Sequence, residues 1–346
     1  MTLLLASVLS SAEAAVALAG GADVIDCKDP ARGALGALSL AEVAAIVAEV
    51  AGRKPVSAVV ELPHDGALAR KAIEDAVAAG VDFVKFAVPA TPDAPRVVAD
   101  LAPLAGRMKL VGVLFADLGP DLDILADLAR AGFHGVMLDT AHKGKGRLLD
   151  HMSVPDLAAF VARAKAFGLT TGLAGSLEPP DAPRLVTTGA DILGFRGALC
   201  ARGDRRAALE PAAVALIRDL LPTATAPRAP ASGETDTVFL HDYVVPMEVG
   251  AYASEYGHVQ RVRFNVDADV LRHGGADDMR QVFSYDVVMD AIKLILAGGH
   301  VVLVETIAER LATSVLAHDM VQTVTVQVEK LDIAPGAVGV KIRRQR

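Results

Sequence analysis

The sequence predicts an α/β chain of two domains, a (β/α)8 barrel followed by a smaller α+β domain of ββααββ order, and three observations predict it. Eight short apolar runs alternate with Ala-rich stretches of helical period over the first two thirds of the 346 residues. A Pro- and Ala-rich segment then breaks the pattern near residue 221. Beyond that segment the hydrophobic period changes to two.

The β-rich runs fall at Leu3–Val8, Asp23–Lys28, Val56–Leu62, Asp82–Val88, Lys109–Phe115, Gly135–Thr140, Leu169–Gly175 and Asp191–Gly197. They are continuously apolar rather than alternating, as expected of parallel strands buried on both faces. Similar turns precede four of them: Ala19–Asp23, Ala78–Asp82, Ala131–Gly135 and Thr188–Asp191. Each marks a helix end feeding a strand. A barrel needs roughly 200 to 250 residues, which places the barrel at residues 1–220, a linker at 221–236 and the second domain at 237–346. In that second domain Val262, Phe264 and Val266 alternate with Arg261, Arg263 and Asn265, and Val324, Val326 and Val328 alternate with Thr325, Gln327 and Glu329. These are antiparallel strands with one wet face. Two helical stretches lie between them, one with Tyr285, Val288, Met289 and Ile292 on a face, the other with Val304, Ile307, Ala308, Leu311 and Val315. Val338, Val340 and Ile342 form the last strand. A core this small is marginal, and assembly of copies through the sheet edges would relieve it.

Composition excludes several classes. Mean hydropathy is high at +0.39, yet no apolar run reaches the roughly 18 to 20 residues of a spanning helix. The opening Met1–Ala15 lacks a basic start and is interrupted by Glu13, so it reads as strand then helix rather than as a signal segment. A cytoplasmic protein is expected. Cys27 and Cys200 are the two cysteines, with no CxxC, so neither a disulfide framework nor a metal site is expected. Net charge of −8 argues against nucleic acid as a partner, and the basic Lys341–Arg346 run reads as a solvated strand edge.

The chemistry gathers at strand ends. Asp26-Cys27-Lys28 closes one strand, Lys85 sits inside another, and Asp139-Thr140-Ala141-His142-Lys143 closes a third. Lysines on strands this apolar must be paired or functional, and catalytic groups of such barrels come from the strands' carboxyl ends. Phosphate is commonly held after the seventh and eighth strands. Here those positions carry Ala174-Gly175-Ser176 and Arg196-Gly197-Ala198, small enough to present backbone N–H groups to an oxyanion. Neighbouring ammonium groups lower a lysine's pKa by like-charge repulsion and so favour a nucleophilic amine. An imine to a phosphorylated aldehyde or ketone follows as the expected chemistry.

The segments Gly20–Pro30, Gly33–Ala37, Met137–Lys143, Leu173–Ser176, Gly194–Cys200 and Gly203-Asp204-Arg205 resemble the (5-formylfuran-3-yl)methyl phosphate synthase family of methanofuran biosynthesis. The resemblance covers Met1–Leu220. It implies a TIM barrel that condenses two molecules of glyceraldehyde 3-phosphate with loss of phosphate and water. It also implies Lys28 as the Schiff-base lysine, with Lys85, Asp139 and Lys143 as acid–base and positioning groups. Asp26, Gly175, Ser176, Arg196, Gly197 and Ala198 are the candidate substrate-binding residues. Lys145 reads as a solvated loop residue, and no cofactor is called for.

The segments Gly250–Glu255, Phe283-Ser284-Tyr285, Leu303–Glu309 and Glu329-Lys330 followed by Pro335-Gly336 resemble dihydroneopterin aldolase, a ββααββ domain of the tunnelling-fold group, over Asp236–Arg346. That resemblance implies that Glu305 anchors the pterin, that Lys330 and Tyr285 move protons, and that Glu255 holds Lys330 and water. A carboxylate suits two adjacent N–H donors, and a lysine–tyrosine pair suits proton removal from a side-chain hydroxyl. The leading expectation is a bifunctional, homo-oligomeric enzyme acting on glyceraldehyde 3-phosphate and dihydroneopterin. Two other readings make the second domain a non-catalytic pterin-binding or oligomerisation module, or direct the barrel's imine chemistry to another sugar phosphate.

Overall fold

In the computed structural model, which describes residues 2–61, 66–222, 233–272 and 278–346, eight parallel strands close on one another in chain order. The described chain divides into two units, Met1–Ala224 and Thr225–Arg346. The first runs β1 (Leu3–Val8), α1 (Ser11–Ala19), β2 (Val24–Cys27), α2 (Leu40–Val50), β3 (Val56–Val59), α3 (Gly66–Ala78), β4 (Phe83–Ala87), α4 (Ala94–Ala105) and β5 (Lys109–Phe115). It continues through α5 (Ile124–Arg130), β6 (Gly135–Asp139), α6 (Leu148–His151), α7 (Val154–Ala166), β7 (Thr170–Ala174), α8 (Asp181–Val186), β8 (Ile192–Phe195) and α9 (Pro211–Leu220). Leu5 of β1 stands opposite both Val24 of β2 and Gly194 of β8, which is the closure.

Several strands are shorter than the apolar runs suggest, and the aspartates at their starts bind the neighbouring strand twice, through the backbone (Asp23 N–H to the Leu4 carbonyl and Asp82 N–H to the Val56 carbonyl, both 2.8 Å) and through the carboxylate. Asp23 accepts from the Leu4 N–H at 3.0 Å, Asp82 from the Val56 N–H at 2.8 Å, and Asp191 from the Thr171 N–H at 2.9 Å. Each turn pairs a positive-φ glycine with a carboxylate that ties the next strand to the start of its neighbour: Gly21 at +88°, Gly80 at +93° and Gly189 at +75°. The repeated Gly-x-Asp is thus a register device. In the fourth turn His134 takes the aspartate's place and faces the Thr170 hydroxyl at 3.4 Å. Leu62, the expected end of the third strand, lies outside the described residues, as does the greater part of the expected linker, 223–232.

Inside the barrel, Val113, Met137 and Ala174 form a small apolar floor. Gly172 and Gly194 make room for it, since a Cβ on either would lie within 3.0 Å of the Met137 side chain. Larger residues such as Ile25, Phe86, Leu110 and Phe160 pack between strands and helices.

The second unit runs β9 (Thr235–Glu248), β10 (Val259–Leu271), α10 (Tyr285–Ala297), α11 (Val304–Leu316), β11 (Val321–Ala334) and β12 (Gly336–Gln345), in an antiparallel sheet of order β12-β11-β10-β9. One sheet face carries Val262, Phe264, Val266, Val324, Val326 and Val328 against Val288, Ile292, Ile307 and Leu311 of the helices. The other face is polar over β10 and β11, with Arg261 bound to Asp332 at 2.7 Å and Arg263 to Glu329 at 2.8 Å, while Val244 and Phe239 stand exposed beside them on β9. Tyr285, expected on the buried face of its helix, is 57% exposed. It is the first residue of α10, and the buried stripe begins only at Val287 and Val288. The basic terminal run lies on the edge strand β12. No helix of the described residues is long and apolar enough to cross a membrane.

Phe264 is fully buried at the centre of this sheet. Phe264→Ala should destabilise the second unit by about 3–5 kcal/mol through lost burial and a residual cavity. Chemical denaturation followed by circular dichroism checks this, and a loss below about 1 kcal/mol would show that the face is not the core.

Candidate active sites

Two polar tiers sit at the carboxyl ends of the barrel strands. In the lower tier Ser7, Asp26 and Ser57 are neighbours in register across β1, β2 and β3. Asp26 accepts from the Ser7 hydroxyl at 3.0 Å, from the Ser57 hydroxyl at 2.6 Å and from the Lys85 ammonium at 2.7 Å. Asp26 is fully buried and Lys85 is 4% exposed, so the hydroxyls and the amine satisfy a carboxylate that has left water. Asp26 therefore holds Lys85 in place.

The upper tier is built on Asp139, the last residue of β6. One carboxylate oxygen takes Lys28 Nζ at 3.2 Å and the other takes Lys143 Nζ and the Thr140 N–H at 2.7 Å. Lys143 also donates to the Thr140 hydroxyl at 3.1 Å. The loop bearing Lys143 is pinned from the end of β5, where Asp117 accepts from the Ala141 N–H at 2.7 Å, the His142 N–H at 2.9 Å and His142 Nδ1 at 2.9 Å. Lys145 is exposed. Asp117 was not among the expected residues, although a carboxylate two positions past the end of an apolar strand was its signal.

Electrostatics separate the groups. Burial, and after it the Lys28 ammonium, push the Lys85 pKa down against the opposing pull of Asp26. Burial likewise lowers Lys143, with Lys28 and Arg205 adding to it and Asp139 opposing. Burial alone would raise Asp139, but the Lys28 and Lys143 ammonium groups outweigh it and hold the carboxyl well below its ordinary value. Lys28 is thus the ammonium felt by both other lysines, and its carboxylate contact is the longest of the three. Cys27, beside them, is pushed up to about 12 by burial and by Asp26, so it stays a thiol.

Both tiers open into one cavity of about 300 Å³ that Gly175, Ser176, Gly197 and Ala198 also line. Gly175 has φ +125°, and a Cβ there would lie 3.1 Å from the Thr140 nitrogen, so β6 and β7 approach closely only at glycine. Gly197 and Ala198 open a 310 turn, where N–H groups have no partner within the turn. Arg196 also lines the cavity, and its guanidinium is held by the scaffold: it donates to Glu13 through both terminal nitrogens and to the carbonyls of Ser7, Arg205 and Ala207. Arg205, another residue not among those expected, lines the cavity.

In the second unit, Glu255 ends a 310 turn at Ala253–Glu255 and accepts from Lys330 Nζ at 2.6 Å, the Tyr252 N–H at 3.0 Å and Gln260 Nε2 at 3.2 Å. The Lys330 hydrogen bond, then that of Tyr252, brings the Glu255 pKa down to about 2. Gly250 has φ +146°, and a Cβ there would fall on the Glu255 carboxylate. Gln260, also unexpected, is 3% exposed and donates to the Val249 carbonyl at 2.6 Å. Its signal is a polar residue at a core-facing position of a period-2 strand. Tyr285 and Glu305 stand exposed in the first turns of α10 and α11, and no described hydrogen bond or ion pair joins either to Lys330. Among the described residues no group of three His, Cys, Asp or Glu side chains is placed to hold a metal ion.

A family model described as 4-HFC-P synthase matches residues 4–218, and one described as dihydroneopterin aldolase matches residues 238–343. A Methylorubrum extorquens protein provisionally named (5-formylfuran-3-yl)methyl phosphate synthase is 49% identical over 212 residues, 61% of this chain and 88% of the relative. The (5-formylfuran-3-yl)methyl phosphate synthase of Methanococcus maripaludis is 34% identical over 218 residues, 59% of this chain and 92% of the relative. Among solved structures, dihydroneopterin aldolase from Burkholderia thailendensis, bound to guanine, is 36% identical over 33% of this chain and 93% of its own, with a TM-score of 0.30. The chain belongs to the 4-HFC-P synthase family, and joins that barrel to a C-terminal dihydroneopterin aldolase-like domain.

Proposed function

We propose that the barrel condenses two molecules of glyceraldehyde 3-phosphate to (5-formylfuran-3-yl)methyl phosphate through an imine on Lys28. The observation that carries this is the position of Lys28 between two amines of lowered pKa, in a cavity shared with the glycine loops after β7 and β8. Neutral Lys85 or Lys143 takes the proton of the Lys28 ammonium, the freed amine adds to a substrate carbonyl, water leaves, and the imine stabilises the carbanion needed to join the second carbonyl. Lys85 and Lys143, neutral more readily than solvated lysines, move protons during condensation and the eliminations that follow. Asp139 orients Lys28 and Lys143, and the backbone N–H groups of Ser176, Gly197 and Ala198 receive phosphate oxygens. Asp26 acts through Lys85, and Arg196 by bracing its loop. Incubation with glyceraldehyde 3-phosphate and mass spectrometry of the product tests the reading, and any other six-carbon phosphate would redirect it to a different aldol-type reaction.

For the second domain the proposed activity is cleavage of 7,8-dihydroneopterin, with Lys330 moving the side-chain hydroxyl proton, Glu255 holding Lys330, and Glu305 pairing with the pterin's N–H edge. The open sheet edges β9 and β12 support a homo-oligomer joined through them. The reading as a pterin-binding module predicts binding without cleavage.

The acid limb of the barrel's kcat/KM profile should lie below the ordinary lysine value of 10.5, because Lys85 and Lys143 must be neutral to accept protons. Asp139 raises the Lys143 pKa. Asp139→Asn should therefore move the limb of the residual activity to lower pH, while a limb that stays or rises would contradict the coupling.

In the full chain, Lys330→Ala should abolish glycolaldehyde release from dihydroneopterin with pterin binding retained. Glu305→Ala should weaken pterin binding by roughly 10- to 150-fold, the loss of a charged hydrogen-bond anchor. Calorimetry and a glycolaldehyde assay on the parent and the two variants check both: a parent that binds pterin without releasing glycolaldehyde would favour the binding module, and undiminished release by Lys330→Ala would refute the role of Lys330.

A further inference from the structure

We propose that Arg205 is the side chain that receives phosphate oxygens of the barrel's substrate, a role that rests on the reading of that substrate as a phosphate ester. Arg205 follows β8 and lines the same cavity as Lys28, Lys85 and Lys143. Its one described hydrogen bond runs from Nη2 to the Gly33 carbonyl at 3.0 Å, across the mouth of the cup to the loop after β2. A guanidinium has five N–H donors in a planar fork, so most of this one remains available. Among the described residues Arg205 has no ion-pair partner, in contrast to Arg196, which is bound to Glu13, and Arg147, which is bound to Asp181 at 3.1 Å. The guanidinium stands close enough to Lys143 to depress its pKa and is itself partly removed from water.

Charge accounting points the same way. The cavity lining sets Lys28, Lys85, Lys143, Arg196 and Arg205 against Asp26, Asp139 and Glu178. With the amines protonated it carries two uncompensated positive charges, the complement of a phosphate dianion. Lys85 and Lys143 are the ammonium groups most readily lost, whereas a guanidinium keeps its charge at every working pH and offers paired donors to two phosphate oxygens. Arg205 can therefore hold phosphate while the lysines exchange protons. Its placement is fixed from behind: Arg196 Nε donates to the Arg205 carbonyl at 2.9 Å, Arg196 Nη2 to the Ala207 carbonyl at 3.0 Å, and Glu13 anchors Arg196 from α1. Gly197 lies beside it, a Cβ there being 4.0 Å from Arg205 Cβ. The side chain and the N–H groups after β8 thus face a single anion.

The test uses the intact chain, inorganic phosphate as probe, and two variants. Arg205→Gln keeps an N–H donor for the Gly33 carbonyl but removes the charge, and Arg205→Lys keeps the charge but not the fork. Calorimetric phosphate affinity should fall at least about tenfold in Arg205→Gln, with Arg205→Lys between it and the parent. The KM for glyceraldehyde 3-phosphate should rise with a smaller change in kcat. Phosphate affinity and KM unchanged in Arg205→Gln would overturn the assignment. Should Arg205→Gln not fold, Arg205→Lys decides alone: measurable but weakened phosphate binding supports the role, and parental affinity with parental KM refutes the bidentate contact. A parent chain that binds phosphate through Arg205 but makes no furan product would refute the substrate reading and leave Arg205 as an anion site. Furan production unaltered in Arg205→Gln would refute Arg205 alone.

Discussion

The barrel site depends on one buried carboxylate shared by two ammonium groups. Asp139 ends β6, while Lys28 follows β2 on the opposite side of the closed sheet, 111 residues away in sequence. Only closure of the barrel brings them to 3.2 Å. Lys143 completes the pair from the loop that Asp117 pins. Removing one partner from such a cluster leaves buried charge uncompensated, a strongly destabilising change, so the cluster is a structural constraint as well as a chemical one. Beneath it, the Ser7–Asp26–Ser57 row performs the same service for Lys85. The arrangement keeps three amines close together without keeping all three firmly protonated.

In the proposed reading the second domain uses a simpler version of that device. Glu255 grips Lys330 at 2.6 Å and is itself fixed by the Tyr252 N–H and by Gln260. Gly250 is the backbone condition for it, since no side chain fits where the carboxylate lies. A lysine so held is oriented for proton movement in that reading, whereas Lys28 has a longer carboxylate contact, 3.2 Å, which suits the attack on a carbonyl proposed for it.

Much of this was legible in the sequence. Apolar runs bounded by glycine turns located all eight barrel strands, because strands buried on both faces leave a continuous signal. Period-2 alternation located β10 and β11 because one face is wet. The lysines and aspartates of the cup were visible as charges on otherwise apolar strands. Asp117 and Gln260 act through contacts set by tertiary geometry, and each sits in a stretch whose local pattern permits an ordinary polar residue; Arg205 belongs to the Gly203-Asp204-Arg205 motif, but its place at the cavity is set by tertiary geometry as well. The second role of Asp23, Asp82 and Asp191, carboxylates that cap the start of the neighbouring strand, depends on which strands lie side by side and so has no local signal. Arg196 lines the cavity from its position after β8, while its bonds to Glu13 and three carbonyls depend on tertiary contacts that have no local signal. The exposure of Tyr285 follows from its place at a helix start, which period alone does not resolve.

The most direct test of the central claim is reductive trapping. The full chain incubated with glyceraldehyde 3-phosphate and borohydride, then digested and mapped by mass spectrometry, should carry the reduced adduct on Lys28, with trapping lost in Lys28→Arg. An adduct confined to Lys85 or Lys143, persisting undiminished in Lys28→Arg, would contradict the account.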